Sequence, residues 1–251
     1  MKIFQNSVIH TFWTAENESP WHYIGQASEK VLKYYANTHK YGFFAHHQRY
    51  IPNLVHAWDK IPILLNSFKE HDADWHVIFD ADIFILNFKH SLDDLLGHYI
   101  RRNPNRIILT GSDWKYPINA GVLVCHKSSQ KILEAVNQLR GASPSGLYEQ
   151  GCLQVLREAS KEVEEQVCPV RHRILNSYSP HYGQEFLGGW RESDFLVHFA
   201  GWKAPNIIDF LGESLTNQYL SATAVSEGIN DSLLSAQNKI LKKRKLTKND
   251  L

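Results

Sequence analysis

Apolar residues in this chain fall into two alternating patterns. Short runs rich in β-branched and aromatic residues occur at positions 8–13, 41–45, 77–79, 106–110, 119–125, 170–175 and 195–199, and each predicts a largely buried strand. Between them the apolar positions recur every three or four residues, which predicts helices. One runs from Trp21 to about Asn37 with Ile24, Ala27, Val31, Leu32 and Tyr35 on one face. A second ends near Lys69, with Pro62 suited to its first turn. Ser91 is the expected N-cap of a third, and Ser128 or Ser129 of a fourth that runs through Leu139. A fifth covers 148–158, and Pro205 opens a sixth containing Ile207, Ile208, Phe210 and Leu211. Strands alternating with helices place the chain in the α/β class. Residues 141–146 read as a loop.

The strand at 77–79 ends at Asp80, and a second carboxylate follows at Asp82. In an extended segment these two side chains share a face. Like charges held that close favour a cation between them, and hard divalent ions favour carboxylate oxygens. The apolar runs on both sides, Val77–Phe79 and Ile83–Leu86, are not those of a solvated turn. The stretch therefore predicts two acids delivered to a metal at the carboxyl end of a strand, where open α/β sheets bind their ligands.

Composition narrows the choice further. The 251 residues are 43% hydrophobic and 21% charged with a net charge of +1, which suits one globular α/β domain and gives no electrostatic reason to expect nucleic acid. The three cysteines, Cys125, Cys152 and Cys168, form neither a CxxC pair nor a disulfide framework, so reduced thiols and a cytoplasmic location are expected. No signal-type apolar run or membrane-spanning stretch is present in the sequence. The glycine fingerprints GxGxxG and GxxxxGK[ST] are absent. From about residue 221 the pattern loosens. A final helix from Asp231 is expected to end in the basic run 242–245, giving a domain at 1–220 and a helical basic tail at 221–251. That tail is a candidate for peripheral contact with an anionic inner-membrane surface, against the alternative of a solvated terminus.

Several segments, taken in order, resemble one family. They are Trp58-Asp59-Lys60, the stretch 75–87 with its Asp-x-Asp, Asn119-Ala120-Gly121, Glu149-Gln150, Asn176-Ser177-Tyr178 and the stretch 194–203 ending Gly201-Trp202-Lys203. This set, over roughly residues 30–205, is similar to the galactosyl- and xylosyltransferase family that includes fungal α-1,2-galactosyltransferase, mannan-polymerase subunits and plant xyloglucan α-1,6-xylosyltransferases. The resemblance implies a GT-A glycosyltransferase fold with a Rossmann-like, mixed but mostly parallel sheet. It also implies a UDP-sugar donor, Mn²⁺ or Mg²⁺, a saccharide or glycolipid acceptor, retention at the anomeric carbon and a place in polysaccharide biosynthesis. Asp80, Asp82 and His198 map to the metal ligands. Asp80, Lys60, Asn119, Gly201 and Lys203 map toward the donor, with Lys203 facing the diphosphate. Gln150 and Glu149 map to the catalytic loop, with Gln150 expected to face the anomeric centre. The family's Asp-Asp-Gln is Tyr148-Glu149-Gln150 here, so the first acid is missing. The membrane anchor of eukaryotic members is absent as well, which points to a soluble bacterial or viral version.

The chemistry agrees with the mapping. Transfer from a nucleotide diphosphate sugar leaves new negative charge on the diphosphate, which a divalent cation and a lysine stabilise. Two other readings remain open at this point. Haloacid-dehalogenase-type phosphatases also place Asp-x-Asp at a strand end, though usually near the start of the domain. A non-catalytic carbohydrate-binding module would account for the seven tryptophans and eleven tyrosines as stacking surfaces.

Overall fold

A computed structural model describes residues 2–15, 19–113, 115–140, 146–178, 190–191, 193–208 and 211. Six strands form the main sheet: β1 (Ser7–Phe12), β2 (Gly42–His46), β3 (Trp75–Asp80), β5 (Ile108–Gly111), β6 (Asn119–His126) and β7 (Val167–Val170). Their order is β2-β1-β3-β6-β5-β7. The β1/β2, β1/β3 and β5/β7 pairs are parallel, and β6 runs antiparallel to both β3 and β5. The expected mixed, mostly parallel sheet is therefore present, with β6 as the one reversed strand. A second small sheet pairs β4 (Ile83–Ile85) with β8 (Leu196–His198) antiparallel.

The helices are α1 (Pro20–His39), α2 (Lys60–Glu70), α3 (Leu92–Arg102), α4 (Gln130–Gln138), α5 (Tyr148–Ala159) and α6 (Lys161–Gln166). They cover both faces of the sheet. Val77 and Phe79 of β3 join a core with Ile24, Val31 and Leu32 of α1, whereas Ile78 joins Ile61 and Leu64 of α2 and Leu133 of α4 on the other side. Burial on both faces explains why β3 reads as a continuous apolar run rather than an alternating one. Pro20 occupies the first turn of α1, capped by the Ser19 side chain, and Pro62 lies in the first turn of α2. Ser91 forms a full capping box with Asp94 at the start of α3. Ser129 does hold the N-cap position of α4, but its hydroxyl caps nothing.

Three expectations shift. The strand expected at 170–175 lies at Val167–Val170, because the charged residues 171–173 turn away, with Arg173 in a left-handed conformation (φ 74°). Pro169 is compatible with this strand because β7 is the edge of the sheet. Helix α6 has no buried residue and hence no apolar periodicity to announce it. The last strand is confined to Leu196–His198, and the helix after Pro205 spans the described residues 204–208. Phe210, most of the 141–146 loop, the domain boundary at 220 and the basic tail lie outside the described residues. Among the described residues no helix is long and apolar enough to cross a membrane.

Away from the carboxyl end of β3, a line of histidines joins β1, β2, α2 and β3. His76 Nε2 faces the Ala73 carbonyl at 3.2 Å, and its Nδ1 lies 2.6 Å from Ser67 Oγ. Ser67 Oγ is 2.8 Å from His10 Nε2, and His10 Nδ1 is 3.1 Å from His46 Nε2. His46 Nδ1 faces the Tyr50 hydroxyl at 3.5 Å. The direction of every bond follows from its inner end, because a carbonyl can only accept. His76 donates from Nε2, so its Nδ1 accepts from Ser67. Ser67 then accepts from His10, His10 from His46, and His46 from Tyr50. All three rings are neutral in this arrangement. Burial holds the pKa of His10 well below the ordinary value, with His46 adding to the effect, and burial lowers that of His76 to about 4.

Candidate active site

The site forms where β3 ends. Asp80 is the last residue of β3, and Asp82 sits in the turn before β4. The two carboxylates therefore do not meet as alternate positions of one strand, as the sequence pattern suggested. They converge because the chain turns at residues 81–82. Pairing of Ile83 with His198, together with the 3.1 Å bond from Phe199 N–H to the Asp82 carbonyl, brings β8 alongside. Asp80, Asp82 and His198 each offer a ligand atom, and these atoms lie within 4.8 Å of one another. Asp80 is 32% exposed in its side chain, Asp82 18% and His198 5%. Burial pushes the Asp82 carboxyl up, with His198 pulling the other way and Asp80 reinforcing the rise.

The His198 ring lies over the start of β6. A Cβ at Gly121 would stand 2.5 Å from His198 Cε1, so only glycine admits the ring there. Asn119, expected to face the donor, is 7% exposed. Its Oδ1 accepts from Gly121 N–H at 2.9 Å, and its Nδ2 donates to Asp113 Oδ2 at 3.2 Å. Both polar ends of its side chain thus brace the strand under His198.

Lys60 lies at the start of α2 and is 3% exposed. Its ammonium reaches Asp80 Oδ1 at 2.9 Å, Glu149 Oε1 at 2.6 Å and the Ala120 carbonyl at 2.7 Å. All three protons are therefore committed within the protein. Burial opposes the charge, but Asp80 and Glu149 more than offset it and raise the pKa of Lys60 above the ordinary lysine value. The lysine expected to reach the donor thus ties α2, β3, β6 and α5 together.

Glu149 and Gln150 open α5 behind Tyr148, whose backbone is left-handed (φ 46°) at a cost of about 1–2 kcal/mol. The two side chains take different partners. Glu149 is 4% exposed, and its Oε2 is buried with no hydrogen-bond partner. Burial pushes its carboxyl up, against the pull of Lys60. Gln150 Oε1 accepts from Ala120 N–H at 3.0 Å, which leaves its amide protons uncommitted to that strand. Gly201 is the third residue of a turn closed by Trp202 N–H to the Phe199 carbonyl at 2.9 Å, and its φ of 74° is what a type II turn requires there. Lys203 follows it, exposed, before the helical residues 204–208.

A cavity of about 510 Å³ opens beside the carboxylates, lined by Phe12, Trp13, Trp21 and His56 together with Asp80 and Asp82. Two hard carboxylates and one imidazole nitrogen are a donor set that suits Mn²⁺ or Mg²⁺. The local charges fit as well: Asp80 and Glu149 share a single committed ammonium and Asp82 lies beside Asp80, leaving a negative excess that a divalent cation balances. Sequence reasoning missed how Lys60 meets Glu149, because no periodicity links residues on α2 and α5. It also attached no role to Asn176, Tyr178 or Asp113, which surround His198.

Residues 5–103 match the model of the galactosyl transferase GMA12/MNN10 family. No curated protein matches the chain significantly. Among solved structures, a glycosyltransferase involved in the glycosylation of the major capsid of PBCV-1 is similar with a TM-score of 0.66 and 18% identity, over 82% of this chain and 98% of that one. The glycosyltransferase GlyE of Streptococcus pneumoniae TIGR4 is similar with a TM-score of 0.52 and 11% identity, over 90% of this chain and 63% of that one. The fold is GT-A, and the family match agrees with the resemblance carried by the motifs.

Proposed function

We propose that this glycosyltransferase of the GT-A fold takes a hexose or pentose, galactosyl or xylosyl in type, from a UDP-sugar. It transfers that sugar with retention to a saccharide or glycolipid acceptor, forming an α linkage. The observation that carries the reading is the convergence of Asp80, Asp82 and His198 beside an aromatic-lined cavity. A divalent cation held by these three residues would neutralise charge on the leaving diphosphate. Lys60 keeps Asp80 and Glu149 in fixed positions rather than contacting the donor itself. Lys203 brings a positive charge on the segment that follows His198, where it faces the diphosphate. The flat rings of Trp13 and Trp21 suit the nucleobase. Glu149, buried against Lys60, supports the site from within the protein. Gln150 cannot take a proton near neutral pH, so the acceptor's proton leaves on the face of the departing diphosphate, which is the geometry of retention.

The test is a panel of UDP-sugars with Mn²⁺, scored by UDP release, with product NMR on the active donor. Release that stops in excess chelator and an α anomeric signal are expected. Full activity in chelator would refute the metal, a β signal would refute retention, and phosphate release without UDP would favour the phosphatase reading.

A further inference from the structure

Asn176 is fully buried beside His198. Its Nδ2 donates to the Ser112 carbonyl at 3.0 Å, and its Oδ1 lies 2.9 Å from His198 Nδ1. The amide cannot be turned round, because its oxygen would then face a carbonyl that has no proton to give. With Oδ1 toward the imidazole, Nδ1 must carry the hydrogen. In the neutral ring the lone pair is then on Nε2, the nitrogen that faces Asp82 Oδ1 at 3.6 Å. Two acceptors facing each other at that distance repel. The arrangement becomes favourable when a cation stands between them.

The surroundings admit this geometry and little else. A Cβ at Gly111 would come within 2.7 Å of Asn176 Cβ, and one at Gly121 would strike the His198 ring. His198 N–H donates to the Ser177 carbonyl at 2.7 Å, so the chain segments carrying Asn176 and His198 are joined directly. The Tyr178 ring stacks over His198 with centroids 6.4 Å apart, and its hydroxyl donates to Asp113 Oδ2 at 2.5 Å. Asp113 also receives Asn119, which braces Gly121. The imidazole is thus held by a ring of contacts from β6, residues 111–113 and residues 176–178.

We propose that Asn176 is the positioning residue for His198: it fixes the imidazole as the Nδ1–H tautomer and so presents the Nε2 lone pair to a divalent cation shared with Asp80 and Asp82. This rests on the metal reading of those three residues, and it extends that reading to a residue that touches neither metal nor sugar. A histidine free to choose would divide between tautomers, and only one of them can ligate from Nε2.

The first measurement needs no variant of Asn176. Metal-free protein labelled with ¹⁵N-histidine at pH 8, with His198 assigned by comparison with His198→Gln, should show a protonated Nδ1 and an unprotonated Nε2 in long-range ¹H–¹⁵N spectra. A protonated Nε2 would overturn the proposal. The second measurement is Mn²⁺ binding without donor, followed by electron paramagnetic resonance. Asn176→Ala, folded by circular dichroism, should bind roughly 10- to 100-fold more weakly and show mixed tautomers. Asn176→Asp keeps an acceptor for Nδ1–H and should recover the single tautomer, while its second oxygen, now set against the Ser112 carbonyl, should lower the stability. Wild-type affinity in Asn176→Ala would count against the proposal. If wild-type protein bound no Mn²⁺ while His198 kept Nδ1 protonated, the metal reading would fall and the tautomer assignment would stand, so the two are separable.

Discussion

Two sets of buried histidines occupy this fold, and they differ in one respect. In the line from Tyr50 through His46, His10 and Ser67 to His76, every ring nitrogen has a partner, and the chain of bonds ends on a carbonyl. His198 has one nitrogen tied to Asn176, while the other faces the Asp82 carboxylate at 3.6 Å, an acceptor that when ionised has no proton to give. Both are buried to a similar degree: His10 and His76 are 0% exposed and His198 is 4%. Burial therefore does not separate the histidines of the closed line from the one we propose as a metal ligand. The unspent lone pair does. The carboxylates differ in the same way, since Asp80 and Glu149 share an ammonium in direct contact while the nearest basic side chain in an ion pair with Asp82 is the imidazole of His198 at 3.6 Å.

The largest effect is expected at the open end of this contrast. If Asp82 ligates the metal as we propose, Asp82→Ala should lower UDP release roughly a thousandfold or more while melting within a few degrees of wild type, because it removes a ligand rather than a packing contact. Appreciable turnover in that variant would place Asp82 with the structural groups. Lys60→Met should behave in the opposite manner. It strands two buried or half-buried carboxylates, so urea denaturation should show a loss of about 3–5 kcal/mol, and activity should fall because Asp80 and Glu149 lose their positions. Unchanged stability would mean that the Lys60 contacts are not the anchor described above.

Smaller effects belong to the closed chain. Ser67→Ala removes the hydroxyl that bridges His10 and His76, leaving two ring nitrogens without that partner, and should cost about 1–3 kcal/mol with little change in kcat. An effect on kcat with no loss of stability would make the line part of the active site after all. The chain also predicts a pH dependence. His10 and His76 have folded pKa values below that of the unfolded chain, so below pH about 6.5 the unfolded state binds more protons. Stability is complete above that pH and declines as pH falls toward about 4, the folded value for His76. The slope should be about 1.4 kcal/mol per pH unit for each histidine. Urea midpoints between pH 7 and 5 measure it, and Ser67→Ala should flatten the slope by loosening the cluster. A flat wild-type profile would show that these rings are already charged.

Much of the framework was legible from residue pattern alone. The strand-helix alternation, the proline at the start of α2, the Ser91 cap and the Asp80-Ala81-Asp82 stop after an apolar run are all local features, and local features survive in sequence. What was not legible depends on contacts across the chain. Strand β4 is three residues long, too short for a period, and exists because it pairs with β8, whose apolar run at 195–199 was legible. Val167–Val170 was misplaced because the apolar run continues to Leu175 while the charged residues within it turn. Lys60 read as a donor-facing cation because nothing near it in sequence announces Glu149. Asn176 stood out only as part of the Asn176-Ser177-Tyr178 segment with no role attached, since an asparagine's meaning lies in which two groups its amide bridges.

The antiparallel pairing of Ile83 with His198 has a consequence in time. As the chain leaves the ribosome, β1, β2 and β3 can associate soon after residue 80 emerges, since their partners are near in sequence. Asp82, however, must wait for residue 198, after most of the domain has been made. Contacts between such distant segments form late because closing a long loop costs entropy before it returns any contact energy. A nascent chain halted between β7 and β8 would carry the acidic turn with no imidazole beside it. Ion capture would thus be the last event of folding, and a Mn²⁺ signal during refolding would serve as a clock for the completed domain.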